Sequence, residues 1–283
     1  MMNPFVLQFL AALLFAMAMV KDKQNLRRFK LPPADYTFMV FVWLVVVAAV
    51  VTPFTFNVSL AALAEPRYYG ALIALILLAY LWNKLFYYFE KAEQLQDFEV
   101  MNLVVPAVTA LFGGILFVDE RNELAFLALM LSLLALYASR LKKRHWQFSA
   151  YSWLVLIMIF SMAAESVLRK YVLEIADPAS LYLVRTLMVT IMLYLFYRPA
   201  KLNYSWKAWG NALVSSIIGG AAMILMFAGY QQIGIVLTTL VFVTSPMMVY
   251  FLDAAVLREK IATRNIVASG IILIAIVLAA VYG

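Results

Sequence analysis

Four charged side chains stand inside otherwise apolar runs: Lys84, Glu165, Arg185 and Asp253. If those runs cross a bilayer, each charge costs ~2.5–3.5 kcal/mol near the centre and must face a cavity or a partner. Glu165 lies in Met162-Ala-Ala-Glu-Ser166, among residues small enough to let a helix or a solute come close. Its carboxylate either meets a cationic solute group, carries a coupled proton, or pairs with Arg169 four residues on along the same helical face. Arg185, in Tyr182-Leu-Val-Arg-Thr186, offers a planar fork suited to a carboxylate or phosphate. The same fork could instead pin two helices together or reach for the headgroups. Lys84, beside Asn83 and close to Tyr87-Tyr88, is expected on a polar cavity face. There it would meet an anionic group, or pair with Glu165 or Glu90. Asp253, near a helix end, reads as a cap or an interface. Tyr88 and Tyr230 are further candidates for a cavity lining. Pro106 and Pro246 each remove a helical hydrogen bond, giving either a hinge or a fixed kink.

Other chemistry finds no footing. The single histidine, His145, sits in the basic run that begins Arg140-Leu-Lys-Lys-Arg144, and there is no cysteine. No HExxH or CxxC spacing occurs, so neither a metal site nor another cofactor is predicted. No nucleotide-binding GxxxxGK[ST] loop occurs either. The acidic turn Asp119-Glu120-Arg-Asn-Glu123 is the one dense cluster that a membrane-embedded lipid-processing enzyme could use. That enzyme is the alternative to transport.

The elements that must hold these residues are long apolar segments. Of 283 residues 66% are hydrophobic and 13% charged, with a mean hydropathy of +0.92. A soluble chain carries about a quarter charged residues, and ~20 apolar helical residues span a bilayer core. Helices are predicted near 4–20, 36–56, 69–89, 99–118, 122–139, 150–172, 178–197, 208–230, 234–257 and 262–282. The fold class is therefore an all-α integral membrane protein of ten transmembrane helices. The net charge of +7 lies in short loops, which points to lipid headgroups rather than nucleic acid.

The chain also repeats itself. A shift of 140 residues lays Pro106 on Pro246 and Asp119 on Glu259, and a shift of 147 lays Lys23 on Lys170. The repeat divides the chain into two five-helix units, 1–140 and 141–283, and an odd helix count inverts the second. The odd-numbered loops hold 16 lysines and arginines against 4 in the even loops and tails. Within each half the basic loops take opposite parity, as an inverted pair requires. By the positive-inside rule the odd loops are cytoplasmic and both termini outside. Inverted repeats with a midplane site between them are a recurrent plan of secondary transporters.

Phe227-Ala-Gly-Tyr230, Pro246, Leu257-Arg-Glu259 and Ser269-Gly270 succeed one another in the second half. Tyr87-Tyr-Phe-Glu-Lys-Ala92, Pro106 and Asp119-Glu120 do so in the first. With Lys170 and Arg185, these runs resemble the EamA repeat of the drug/metabolite transporter superfamily. The resemblance covers essentially the whole chain, the second half matching better. It implies a non-enzymatic, multi-pass protein of the prokaryotic plasma membrane. Such a protein moves a small polar metabolite by alternating access, as an exporter or exchanger, with proton coupling as an option. It also implies cytoplasmic termini, against the charge count. Neither residues nor resemblance specify an oligomeric state.

Overall fold

The computed structural model describes residues 3–91, 104–140, 150–197, 204–257 and 263–282. The regular structure of these residues is helical, apart from one isolated antiparallel bridge between Val58 and Ala176. In chain order the helices are α1 (Pro4–Phe29), α2 (Pro33–Thr55), the single turn α3 (Leu60–Leu63), α4 (Pro66–Lys91) and α5 (Val104–Leu116). A 3-10 turn at Val118–Glu120 leads into α6 (Glu123–Arg140), α7 (Ala150–Val172), α8 (Pro178–Tyr197) and α9 (Trp206–Gln232). Then come α10 (Gly234–Phe242), α11 (Ser245–Leu257) and α12 (Thr263–Tyr282).

Among the described residues, five stretches are long and apolar enough to cross a membrane: Pro4–Leu26, Pro33–Thr55, Pro66–Phe86, Pro178–Phe196 and Trp206–Gln232. Shorter apolar helical stretches occupy Val105–Leu116, Glu123–Ala135, Gly234–Val249 (α10 and the start of α11) and Ile266–Leu278. α7 is 23 residues long and carries Glu165, Arg169 and Lys170 in its last two turns.

Two elements depart from the sequence expectation. The first helix does not end near residue 20 but runs to Phe29. Lys, Gln and Arg are good helix formers, so Lys21–Phe29 continue the helix despite their polarity. Termination waits for Lys30, at φ 49°, and the Pro32-Pro33 pair behind it. The predicted segment 234–257 is broken at residues 243–244 into α10 and α11, with Pro246 just inside the new start. That is the helical position where a missing N–H costs least.

α9 is the central packing element, lying against α1 and α2. Its Gly219 approaches Ala18, and its Gly220 backbone leaves only 3.2 Å between an added Cβ and Val47. Other close pairs include α1 with α10 and α11, α4 with α7 and α8, α2 with α8, α5 with α7 and α10, and α6 with α12. Buried hydroxyls bond back to the carbonyl four residues earlier: Thr52 to Ala48, Ser132 to Ala128, Ser161 to Ile157 and Thr186 to Tyr182. In an apolar surround this satisfies each side chain inside its own helix. Large apolar residues such as Val50, Phe54, Leu127 and Ile274 point outward, as a lipid-facing surface requires.

Candidate functional site

α7 and α8 place three charges together in the interior. Glu165 lies one turn before Arg169 on α7, and Arg185 reaches it from α8; each residue is no more than 2% exposed. Glu165 Oε1 accepts hydrogen bonds from Arg169 Nε (3.3 Å) and Arg185 Nε (2.9 Å), while Arg169 Nη2 donates to Oε2. Both carboxylate oxygens are thus occupied, and the cluster as a whole holds one uncompensated positive charge.

Aromatic rings complete the cage. The Arg169 guanidinium lies 4.4 Å from the Phe227 ring centroid and 5.7 Å from that of Tyr230. Arg185 lies 5.7 Å from that of Trp82, and Tyr182 meets Phe227 edge-on at 5.6 Å. A desolvated cation–π contact contributes about 2 kcal/mol, which explains how two arginines tolerate burial with one carboxylate between them. Arg169 Nη1 and Arg185 Nη2 have no hydrogen-bond acceptor among the described residues.

Arg185 also lines a cavity of about 120 Å³ walled by residues from both 1–140 and 141–283. Its wall includes Trp82 and Asn83 from α4, Ser215 and Ser216 from α9, and Asp22 from α1. One water needs ~10–15 Å³, so the space can hold polar contents. Asp22 Oδ1 accepts from Tyr36 Oη (2.5 Å) and from Ser215 Oγ. Asn25 Nδ2 donates in turn to Tyr36 Oη at 3.0 Å.

Nearby, several ties join residues of 1–140 to residues of 141–283. Lys170 Nζ lies 3.1 Å from Glu120 Oε1 and donates to the Tyr230 carbonyl at 2.6 Å. Glu120 Oε2 accepts the N–H groups of Ile235 (2.5 Å) and Val236 (3.2 Å), capping α10 from another part of the chain. Gly234 makes room with φ +83°, and a Cβ there would sit 2.6 Å from the Glu120 carboxyl carbon. Asp177 caps α8 through the N–H groups of Ala179 and Ser180, and accepts as well from Thr55 Oγ1 (3.1 Å) and the Asn57 N–H (2.9 Å). Burial alone would raise the Asp177 pKa, but the donors of Ser180, Asn57 and Thr55 outweigh it and hold the carboxyl below its usual value. At a different junction Tyr204 donates to Asp35, and burial with that bond lifts its phenol to about 12.

The sequence profile of the EamA-like transporter family matches residues 149–281. Residues 149–281 are an EamA-like transporter family domain. Together with the apolar helices, that domain points to a multi-pass membrane protein of the drug/metabolite transporter superfamily. One solved crystal structure superposes with a TM-score of 0.74 over 98% of this chain and 96% of its own, at 13% identity. That likeness speaks for the fold alone. No curated protein sequence matches the chain.

The EamA-like domain supplies Glu165, Arg169, Arg185, Phe227 and Tyr230 to the ion cluster, and α4 adds Trp82. Of the residues that stand out in sequence, Glu165, Arg185 and Tyr230 come together; Tyr230 is 3% exposed. Lys84 does not join them. It is exposed while its neighbour Asn83 is buried and bonds to the Ala79 carbonyl, and Glu165 pairs with the two arginines instead. A step of one residue turns a side chain by about 100° around a helix, which carries Lys84 off the cavity face. The side chains of Tyr88 and Asp253 lie outside the described residues. Pro106 is the third described residue of α5, and Pro246 stands at the α10–α11 break. In the acidic turn, Glu120 is held by Lys170 and by α10. Asp22 does not stand out in sequence, because Lys21-Asp-Lys reads as loop when helix one is ended at the last hydrophobic residue.

Proposed function

We propose that the protein is a secondary transporter that moves a small polar metabolite carrying an anionic group by alternating access. The observation that carries this reading is the surplus positive charge of the buried cluster, with Arg185 at the edge of the cavity and its Nη2 without an acceptor among the described residues. A carboxylate or phosphate entering the cavity would supply that acceptor and neutralise the cluster. Glu165 and Arg169 position Arg185, while Trp82 and Tyr182 border the space. Tyr230 acts through Arg169.

In this reading residues 1–140 and 141–283 are inverted five-helix repeats, giving ten spans. The packing supports it, since related helices exchange partners. α1 packs on α9 as α4 packs on α7, the first and third helices of each half in turn. α2 meets α8, α5 meets α10 and α6 meets α12, each helix meeting its own counterpart. The ties through Glu120 and Asp177 then close one end of the pathway between the halves. Pro106 and the break beside Pro246 are where α5 and the α10–α11 pair would flex. An exporter or exchanger in a prokaryotic plasma membrane fits this arrangement.

The test is a thermal-shift screen of purified protein against anionic, neutral and cationic metabolites, run beside Arg185→Ala. A ligand at 100 times its Kd stabilises by ~2.7 kcal/mol. Anionic metabolites should raise the melting temperature of the native chain and leave that of the variant unmoved. Stabilisation by cationic or neutral compounds alone, or equal shifts in both proteins, would overturn the anionic assignment.

A further inference from the structure

Two carboxylates lie close to the transport pathway, and their surroundings are opposite in kind. Glu165 has three guanidinium donors on its two oxygens. Such a carboxylate is fixed as an anion, because protonating it would strand two buried cations. Asp22 has hydroxyl donors only. Tyr36 and Ser215 both converge on Oδ1, and Oδ2 receives no hydrogen bond among the described residues. Asp22 is half-buried and lines the cavity, so its free oxygen is within reach of water there.

No cation among the described residues balances it. α10 and the described side chains of α11, both packed on α1, bring no ionisable group. α9 offers Ser215 and Ser216, with Lys207 exposed at the helix start about two turns away. α2 offers Tyr36, and α8 offers Arg185 across the cavity, committed through Nε to Glu165. On α1 itself Lys21 and Lys23 project about 100° to either side of Asp22. A buried carboxylate held by neutral donors, wetted on one oxygen and facing an arginine across a small cavity, has what a reversible proton site needs.

We propose that Asp22 is the proton-carrying group of the transport cycle. Its Oδ2 accepts a proton from hydronium in the cavity water, one O–H bond of the hydronium breaking as that of the neutral carboxylic acid forms and a water molecule being left behind. The acid returns the proton to water as hydronium when the cavity is next hydrated. The Asn25–Tyr36–Asp22–Ser215 chain ties α1, α2 and α9 together, so the change of charge is felt where the three helices pack. Asp22 is the coupling group and Arg185 the solute-binding group. The purpose assigned to the proton rests on the transport reading, whereas the protonation itself can be measured without any solute.

The measurement is infrared difference spectroscopy on the purified chain in lipid nanodiscs, acidified from about pH 8 to about pH 5, a window above the titration of ordinary exposed carboxylates. The protein as it stands should develop a carboxylic-acid C=O band that is missing in Asp22→Asn and retained in Asp177→Asn. If Asp22→Asn loses its cooperative melt, Asp22→Glu decides: the band should remain but move in frequency or midpoint. Absence of a band in the native protein, its persistence in a folded Asp22→Asn, or an unmoved band in Asp22→Glu would each overturn the assignment. A failed metabolite screen with this band present would count against the solute reading alone.

Discussion

Glu165 is a keystone charge, and removing it should be expensive. Truncating one partner of a buried ion pair leaves an uncompensated charge and costs ~3–5 kcal/mol. Glu165→Gln should therefore lower the melting temperature sharply, and adding Arg169→Met should recover part of the loss; a Gln variant that melts like the native protein would contradict the ion cluster. Asp177 makes a separate prediction in pH. Its folded pKa lies below its unfolded one. The stabilisation from its charge is thus complete above the unfolded value of about 4 and is lost as pH falls through that value and then the folded one. Asp177→Asn should melt lower than the native chain at neutral pH, by the ~0.5–2 kcal/mol of a helix cap. The deficit should shrink as the solution is acidified below about pH 4, and a constant deficit would argue against the carboxylate. At this scale the sequence is readable where a charge interrupts an apolar run, as at Glu165 and Arg185. It is less so for Lys84, where rotation about the helix axis decides between cavity and surface. Asp22 stays hidden because a charged segment continues the helix.

Among the elements, the α9–α10 turn depends on a backbone geometry that only glycine adopts readily. Gly234 sits at φ +83° with the Glu120 carboxyl in the space a Cβ would fill. Gly234→Ala should cost about 1–2 kcal/mol from the left-handed backbone alone. It should also push Glu120 off the N–H groups of Ile235 and Val236. Faster amide hydrogen exchange at the start of α10 would report both effects, and unchanged protection there would contradict the cap. Most helices can be located from apolar windows, since residues that must avoid water betray themselves by type. Their ends are harder to place. The α10–α11 break follows from Pro246, whose missing N–H is tolerated at a helix start but not inside. The extension of α1 follows from residues that form helix whether or not they are apolar. The partnership of Glu120 with α10 joins positions 115 residues apart in sequence, and no local pattern reveals such a contact.

For the whole molecule, the central claim is that the two halves move against each other and pass an anionic solute between them. The structure ties them through the Val58–Ala176 bridge, with Ser59 N–H on the Ile175 carbonyl at 2.9 Å and Asp177 N–H on the Asn57 carbonyl at 3.0 Å. Paired residues of an antiparallel bridge have Cα atoms ~4.5–5.5 Å apart, inside the ~4.4–6.8 Å range of a disulfide. The native chain has no cysteine, so Val58→Cys with Ala176→Cys creates a single, unambiguous cross-link. The decisive measurement is flux of a stabilising anionic metabolite into proteoliposomes carrying this double variant, with and without reductant. The reduced protein should transport. The oxidised protein should still bind the metabolite in a thermal-shift assay but pass none across the membrane. Equal flux in the two states, or no flux in either, would contradict alternating access between the halves.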